Sequence, residues 1–324
     1  MRILTVNAGS SSLKISLVCD GTSIATYDDL DAAAADGPPD AVGHRVVHGG
    51  RHTAPVLVDD AVRAQLGELT ELAPLHQPPA LRAMDRTRAA WPRVPQVACF
   101  DTAFHTTMPQ AASTYALPRR IRDLGIRVYG FHGLSHAWAS ARAAEQVPGA
   151  RRVLVAHLGA GASLCAVLDG RSVDTTMGFT PVDGLVMSTR SGALDPGAVA
   201  WLAANTTDDL SEILERQGGL LGLCGTADMR EVIARADAGD PDARLALDVW
   251  WHRLAGLCGA MAAALGGLDV VALTGGIGEH NAAVHAGLTE RLAWLGTGAT
   301  VPVLVVPARE DLQIAAEAVQ LLGW

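Results

Sequence analysis

The chain alternates short apolar runs with longer segments whose apolar residues recur every three or four positions. The short continuous runs are typical of buried strands, and they lie at residues 3–6, 95–100, 270–273 and 303–306. The helical spacing predicts helices at residues 58–72, 79–91, 135–147, 210–216, 229–236, 243–265 and 282–294. Strands that alternate with helices in this way indicate a layered α/β fold.

Two segments need a choice between alternatives. Residues 28–40 are acidic and alanine-rich and contain two adjacent prolines, so we predict a loop or a poorly ordered connector. The apolar run from Leu254 to Leu273 has the length of a membrane span, but it contains Gly-Gly and Asp269. We therefore predict a buried helix followed by a strand.

One pattern occurs twice along the chain. Residues 3–21 and residues 153–170 each predict a strand, a turn of small residues, a second strand and an Asp-Gly pair. Asp-Gly favours a tight hairpin because both turn positions tolerate positive φ angles. The repetition predicts two related domains, and a length of 324 residues agrees with two.

Composition and charge exclude several classes of protein. The net charge of -9 argues against a general nucleic-acid surface, and the chain has no run of like charge that would bind a membrane. Strand-like sequence begins at residue 2, so we expect no signal peptide. The five cysteines are widely spaced and form no CxxC pair. Buried free thiols in a reducing cytoplasm are therefore expected.

Lys14 is the one lysine of the chain, against 24 arginines, and it closes a glycine-serine turn after the first predicted strand. Backbone N–H groups and hydroxyls of such a turn cradle phosphate oxygens, while a single flexible ammonium reaches a terminal phosphate. The alternative is a surface lysine in an ordinary hairpin, because glycine-rich turns are common.

Polar clusters follow four further predicted strands or turns, where open α/β sheets bind ligands. They lie at residues 43–50, 100–105, 129–136 and 270–279. Asp101, at the end of its strand, either caps the next element or suits Mg²⁺, which takes few protein carboxylates together with phosphate oxygens and water. Arg190 lies among glycine and small residues, which indicates a close-packed loop that presents it, although a surface arginine is the alternative.

The histidines admit two interpretations and exclude one kind of site. His44, His48 and His105 are either structural or chemical. The chain has no HExxH and no Cys/His set, which argues against a zinc site, and it has no Walker A loop. A lysine, two presented arginines, a histidine, lone acids and glycine turns together indicate phosphoryl transfer.

In their order along the chain, these clusters resemble the acetate kinase family. The matching stretches are VNAGSSSLK, GHRVVHGG, PLHQPPAL, FDTAFHTTMP, YGFHGLSH, HLGAGAS, DTTMGFTPVDGL, STRSGALDP and TGGIGEH. The resemblance implies an α/β fold of two duplicated ribonuclease-H-like domains, as in actin, Hsp70 and sugar kinases, with a cleft between them. We expect one domain over residues 1–104 plus 312–324 and the other over residues 105–311. The resemblance further implies a cytoplasmic homodimer that makes acetyl phosphate from acetate and ATP by direct in-line transfer, with Mg²⁺ or alternatively Mn²⁺.

The resemblance also implies a role for individual residues. The catalytic residues are Arg45, Asp101, His132 and Arg190. The acid-binding residues are Arg45, Val47, Leu75, His76, Phe131 and Pro181. The residues for the nucleotide and its phosphates are Asn7, Ser10, Ser12, Lys14, His157, Gly159, Gly161, Asp228, Met229, Arg230, Gly276, Ile277 and Gly278. The metal-site residues are Asn7, Asp101 and Glu310.

The sequence departs from the family pattern at several positions. The segment between Lys14 and Arg45 is short, and Ala160 and His280 each stand where the resemblance implies an asparagine. Ser188 and Gln77 replace a glycine and an asparagine. Loss of an amide near the phosphates keeps pyrophosphate open as an alternative phosphoryl donor. Propionate or butyrate is the alternative acid, because one methylene changes binding by only about 1–3 kcal/mol. A nucleotide-binding module without an acyl substrate, and a relative that has lost turnover, are the remaining alternatives.

Overall fold

The computed structural model of the chain describes residues 1–9 and 13–324. The predicted phosphate contacts of Ser10 and Ser12 therefore lie outside the described residues. The strands are β1 Arg2–Ala8, β2 Leu13–Cys19, β3 Thr22–Tyr27, β4 Ala41–Val46, β5 Val56–Leu57, β6 Gln96–Phe100, β7 Arg152–Leu158, β8 Ala162–Leu168, β9 Arg171–Thr175, β10 Val270–Thr274 and β11 Val303–Val305. The helices are α1 Leu30–Ala35, α2 Asp60–Glu68, α3 Gln77–Ala90, α4 Gln110–Ser113, α5 Arg119–Arg122, α6 Gly133–Gln146, α7 Pro196–Asn205, α8 Leu210–Glu212, α9 Gly219–Cys224, α10 Met229–Asp237, α11 Pro241–Leu265, α12 Gly275–His280, α13 Ala282–Arg291 and α14 Glu310–Leu322.

The chain forms two compact units, the first of which comprises residues 1–106, 131–138 and 308–324. Its described strands form one sheet in the order β3-β2-β1-β4-β6-β5, in which β1, β4 and β6 are parallel. Successive residues of β1 point to opposite faces. Ile3 packs in the cluster with Ile314 of α14, and Leu4 packs in the cluster with Ala83 of α3. The sheet of the first unit therefore lies between two helical layers.

The second unit comprises residues 107–130 and 139–307. Its described strands form a sheet in the order β11-β10-β7-β8-β9, in which β7, β10 and β11 are parallel. The long helix α11 packs against β7, β8 and β9. Asp240 caps its N-terminus and Gly266, with a φ of 65°, ends it, so that the apolar run from Leu254 divides into a helix and the strand β10, as predicted. In the described part of the chain, no helix combines the length and the apolar character needed to cross a bilayer.

The two sheets share one topology, which confirms the predicted duplication. In each, an antiparallel three-stranded meander is followed by parallel strands added beside its first strand. The Asp-Gly pairs adopt nearly the same turn, with φ angles of 48° and 75° at residues 20–21 and of 50° and 75° at residues 169–170. The register also shifts at the same place in the middle strand of each meander, between Leu17 and Val18 and between Ala166 and Val167.

The prediction of a loop over residues 28–40 is wrong in part, because α1 lies within it. The Asp29 side chain accepts a hydrogen bond from the Ala32 N–H and caps the helix. Leu30 and Ala33, one turn apart, are buried in the cluster with Leu4. The Tyr27 hydroxyl donates to Asp36 at 2.6 Å. A cap, two buried contacts and a closing hydrogen bond thus stabilise a helix that is too short to show a clear apolar period.

Candidate active site

Three predicted site residues lie together at the carboxyl ends of the parallel strands of the first unit. Asn7 of β1 pairs in register with Arg45 of β4, and Asp101 directly follows β6. Arg45 Nη2 donates to Asp101 Oδ2 at 2.7 Å and Arg45 Nε donates to the same oxygen at 3.1 Å. Arg45 Nη1 donates to Asn7 Oδ1 at 3.1 Å. Residues at the ends of β1 and β6, the strands on either side of β4, therefore fix the orientation of the guanidinium.

Glu310, the first residue of α14, completes this cluster. The Asn7 side-chain amide donates to Glu310 Oε2, which lies 3.8 Å from Arg45 Nη1. The Arg45 guanidinium thus interacts with two carboxylates and one amide oxygen. The side chain of Asp101 is only 1% exposed and those of Arg45 and Glu310 are each 13% exposed, so that water screens these charges weakly.

Burial governs the protonation of the cluster. It raises the pKa of Asp101, against the opposing effect of Arg45, and the charge of Glu310 adds to the rise. Burial acts to lower the pKa of Arg45, but Asp101 and Glu310 outweigh it, so the pKa is raised and the guanidinium stays charged. Two acids against one arginine leave the cluster suited to a further cation.

The donor set of this cluster fits Mg²⁺. Carboxylate and amide oxygens are hard ligands, and Mg²⁺ takes one or two carboxylates together with phosphate oxygens and water. In the part of the chain that the structure describes, no three His, Cys, Asp or Glu side chains are grouped so as to hold a metal by themselves. The first unit therefore offers a partial site of the kind that a metal–phosphate complex completes.

The loop of residues 130–133 brings His132 to Asp101. His132 has a φ of 57°, in the left-handed region, and its backbone N–H donates to the Asp101 carboxylate. A Cβ at Gly133 would overlap the Asp101 carbonyl oxygen, so only glycine permits this close approach. The sequence Phe-His-Gly thus seats a half-buried histidine beside a buried acid.

Residues predicted to bind the acid lie in both units. In the first unit, Val47 and Phe131 are buried, and the His48 ring meets the Phe131 ring edge-on at 5.9 Å between centroids. Leu75 and His76, both half-buried, precede α3. Gln77 Nε2 donates to the His48 carbonyl at 3.2 Å and so ties the start of α3 to the segment that carries Val47.

Lys14 and Pro181, two further predicted site residues, lie in different units. Lys14 is exposed on β2 and pairs in register with Asn7, next to the Arg45 cluster of the same sheet. Pro181 is half-buried in the second unit, where its carbonyl accepts a hydrogen bond from Arg190 Nη1 at 3.3 Å.

Two glycine turns lie side by side at the carboxyl ends of β7 and β10 in the second unit. His157 pairs in register with Thr274, so the turns after both strands begin at the same level. The Gly159 N–H donates to the Gly161 carbonyl at 3.0 Å, and a Cβ at Gly275 would lie 2.8 Å from the Leu158 carbonyl oxygen. Gly276, Ile277 and Gly278 continue in α12. The predicted phosphate and nucleoside segments are therefore neighbours.

Ser188 connects the first of these turns to the segment at Asp228. The Ser188 N–H donates to the Ala160 carbonyl at 3.2 Å, and its hydroxyl donates to the Ala227 carbonyl at 3.0 Å. Asp228 caps α10 by accepting from the Arg230 N–H, while Met229 is buried. Hydrogen bonding by the Arg230 side chain lowers the pKa of Asp228 to about 2. The serine that departs from the family pattern thus has a structural contact in this chain.

The loop that presents Arg190 rests on an irregular helical turn. Helix α8 continues as a π-helical turn at Ile213–Gln217, where the sequence predicts a regular helix. The Ser191 N–H donates to the Leu214 carbonyl at 3.0 Å and Thr189 Oγ1 donates to the Glu215 carbonyl at 2.9 Å. Both carbonyls thus accept hydrogen bonds from the Arg190 loop. π-Turns of this kind are frequent at functional sites.

Comparison with known proteins identifies the family of the chain. The model of the Acetokinase family matches residues 36–301. The acetate kinase of Clavibacter sepedonicus is 43% identical to this chain over 325 aligned residues, which cover 92% of this chain and 82% of that protein. The chain belongs to the acetokinase family.

Solved structures of the acetokinase family superpose on nearly the whole chain. A propionate kinase from Francisella tularensis subsp. tularensis SCHU S4 is 35% identical, with a TM-score of 0.91 and 98% of both chains covered. The acetate kinase of Porphyromonas gingivalis is 31% identical, with a TM-score of 0.88 and 99% of both chains covered. The predicted family, fold class and enzyme class are thereby confirmed, and the chain is a phosphotransferase of the acetate kinase type.

Sequence reasoning missed one acid near Asp101. Glu317 lies two turns along α14 from Glu310 and accepts a hydrogen bond from Gln313 Nε2 at 3.0 Å. Burial raises the pKa of Glu317, and the Asp101 charge adds to the rise. The signal was present, because residues 310, 313 and 317 place polar side chains on one face of α14.

Proposed function

We propose that this member of the acetokinase family transfers the γ-phosphoryl group of ATP to acetate and catalyses the reverse reaction. The observation that carries the proposal is the cluster of Asn7, Arg45, Asp101 and Glu310 at the carboxyl ends of β1, β4 and β6. It combines a permanently charged guanidinium with oxygen ligands for a metal ion. This is the arrangement that phosphoryl transfer to an anion requires.

Phosphoryl transfer to a carboxylate requires cations, but it requires no strong base. A carboxylate acceptor is already ionised at neutral pH, so it attacks without losing a proton. Arg45 orients the anions and offsets their repulsion, and we assign the same task to Arg190. We assign Asn7, Asp101 and Glu310 to Mg²⁺, which when bound neutralises charge on the phosphate oxygens. His132 donates a hydrogen bond to an oxygen of the transferring group.

We assign the nucleotide to the second unit. The paired glycine turns at residues 158–161 and 275–278 are of the kind whose backbone N–H groups bind phosphates. The segment at residues 228–230 is held to the first of these turns through Ser188. ATP is the donor that this support favours, and Lys14 of the first unit is assigned to a terminal phosphate.

The next choice is which short-chain acid accepts the phosphoryl group. The apolar residues Val47, Leu75, Phe131 and Pro181, with His76, are assigned to its alkyl end. Such side chains distinguish acids that differ by one methylene only about 10–200-fold. A propionate kinase is among the solved relatives, which favours propionate as the second candidate.

Trapping of acyl phosphate with hydroxylamine tests the reaction, the donor and the acid together. Acetate, propionate and butyrate are each supplied with Mg²⁺ and either ATP or pyrophosphate. We expect the largest kcat/KM for hydroxamate formation with acetate and ATP, and loss of the product when Mg²⁺ is chelated. Product with pyrophosphate alone would overturn the nucleotide assignment. A larger kcat/KM for propionate would overturn the choice of acid and leave the chemistry in place.

We also propose a homodimer in the cytoplasm. Helix α7 is apolar and uncharged, yet it buries no residue in the chain, and its Trp201 is 64% exposed. An uncharged face of this kind suits a second copy of the same chain. The five cysteines have free thiols, four of them buried, which fits a reducing compartment.

Substitution of Trp201 tests the dimer. We expect Trp201→Glu to give a monomer in size-exclusion chromatography with light scattering, because it places a charge at the centre of the apolar face. Leu124→Glu is the matched control, since Leu124 is 74% exposed but follows an arginine and an aspartate in the sequence. A Trp201→Glu protein that remains dimeric would contradict the assignment of α7 to the interface.

A further inference from the structure

His105 makes a directional contact with the loop that carries His132. It lies in the short 3₁₀ turn Ala103–Thr107, just after Asp101, and is 0% exposed. Its Nε2 lies 3.0 Å from the Phe131 carbonyl oxygen. A carbonyl oxygen only accepts hydrogen bonds, so Nε2 carries the proton and donates. The imidazole thus holds the peptide that links Phe131 to His132.

That peptide needs stabilising contacts, because His132 adopts a backbone conformation that residues other than glycine rarely adopt. Its φ is 57°. Residues in such conformations persist when surrounding contacts over-determine them, and they concentrate at functional sites. The His132 N–H donates to Asp101, and its carbonyl accepts from the His136 N–H at 2.9 Å. The His105 bond is the contact that fixes the preceding carbonyl.

We propose that His105 is a positioning residue that holds the His132 loop in its left-handed conformation and so directs the His132 side chain at the transferring phosphoryl group. The inference rests on the proposed function of His132. His105 acts through His132 and is not itself assigned to a reacting group. Its role is to donate one hydrogen bond to the Phe131 carbonyl.

The role requires a neutral imidazole with a defined tautomer. Burial lowers the pKa of His105 to about 4, so the ring is uncharged at neutral pH. The ring of His136, a titratable neighbour in the same unit, lies 5.6 Å from the His105 ring between centroids. Another neutral hydrogen-bond donor of similar length should therefore be able to replace the His105 imidazole.

The test compares His105→Gln with His105→Leu. Gln places an amide N–H near the position of Nε2, whereas Leu fills the space without a donor. We expect His105→Leu to lose about 10–100-fold in kcat, because small misplacements of an oriented group cost rates of this order. The KM values for acetate and ATP should change much less. His105→Gln should recover most of the kcat, and the pH profile of its kcat should match that of the unaltered protein.

The matched control is His44→Leu. His44 is also buried in the first unit, at 1% exposure, but its Nε2 contacts Gln96 Oε1 at 3.1 Å and Thr87 Oγ1 of α3 at 3.3 Å. We expect it to lower the melting temperature without the selective loss in kcat. If His105→Leu does not fold, His105→Asn replaces it, because its shorter amide does not reach the Phe131 carbonyl.

A second pair of variants separates this inference from the proposed function. His132→Ala should be nearly inactive, and adding His105→Leu to it should cause no further loss, because the two act through one group. A fully active His132→Ala would overturn the role of His132. An inactive His132→Ala beside a fully active His105→Leu, or equal losses in His105→Gln and His105→Leu, would overturn only the positioning role.

Discussion

Arg45→Ala should stop turnover and also destabilise the first unit. The variant leaves Asp101, 1% exposed at its side chain, without the guanidinium that now donates to both of its oxygens. Breaking a buried ion pair by removing one partner costs about 3–5 kcal/mol of the free energy of unfolding. We expect kcat to fall by about 10³-fold or more, since an arginine that neutralises phosphoryl charge contributes at this level. Urea denaturation and the hydroxamate assay measure the two effects.

The loss of stability should depend on pH in a defined direction. Burial already raises the pKa of Asp101 above the ordinary value of 3.8, and without Arg45 the rise is larger. The folded variant then binds a proton more readily than the unfolded chain. The penalty is fully present above the raised pKa, and it shrinks as pH falls through that pKa towards 3.8. The variant should therefore lie closer to the unaltered protein at about pH 5 than at about pH 7.

Two further variants make the Arg45 prediction specific. Arg45→Ala combined with Asp101→Asn should regain much of the stability, because residue 101 no longer carries an unpaired buried charge, and it should regain no activity. Arg86→Ala is the matched control, since Arg86 forms only a surface pair with Asp31 and should change neither property measurably. A stable, inactive Arg45→Ala would show that Asp101 is compensated by another group, and an active one would remove Arg45 from the mechanism.

The sequence could predict the part of the site that lies at strand ends. Polar residues directly after apolar runs identify the carboxyl ends of β1 and β6, and parallel pairing of both with β4 brings these ends to one edge. The Asp-Gly pairs likewise predicted both hairpins, because their turn chemistry is local. In each of these predictions, the neighbours that decide the structure are close in sequence or fixed by the strand pattern.

The rest depends on contacts between distant residues. Glu310 meets Asn7 across a separation of 303 residues, so only the family resemblance indicated it. The π-turn at Ile213–Gln217 arises because the Arg190 loop takes two of its carbonyls, which a helical period does not show. Helix α1 forms because Leu30 and Ala33 find a core to pack against. Tertiary contacts decide such elements against their weak local signals.

Arg190→Ala should also lose most of its activity, but it should keep more of its stability than Arg45→Ala. The backbone hydrogen bonds that shape the loop, from Met187 to Arg190 at 3.1 Å and from Ser191 to Leu214 at 3.0 Å, do not use the guanidinium. Arg190 Nη1 donates to the Pro181 carbonyl, and loss of one such bond costs about 1 kcal/mol. We expect kcat to fall about 10²–10³-fold, the range for removing one donor that stabilises transition-state charge.

The contrast between the two arginines is itself the informative result. Arg190→Lys should remain far below the unaltered kcat, because a lysine supplies the charge without the planar fork that binds two oxygens at once. Arg216→Ala, on the π-turn beneath the loop, is the matched control, since Arg216 is 56% exposed at its side chain and should affect kcat little. If Arg190→Lys restored full turnover, charge alone would account for the role of Arg190. If Arg190→Ala unfolded as readily as Arg45→Ala, the side chain would have a structural role in the loop, because the backbone contacts would then be insufficient to hold it.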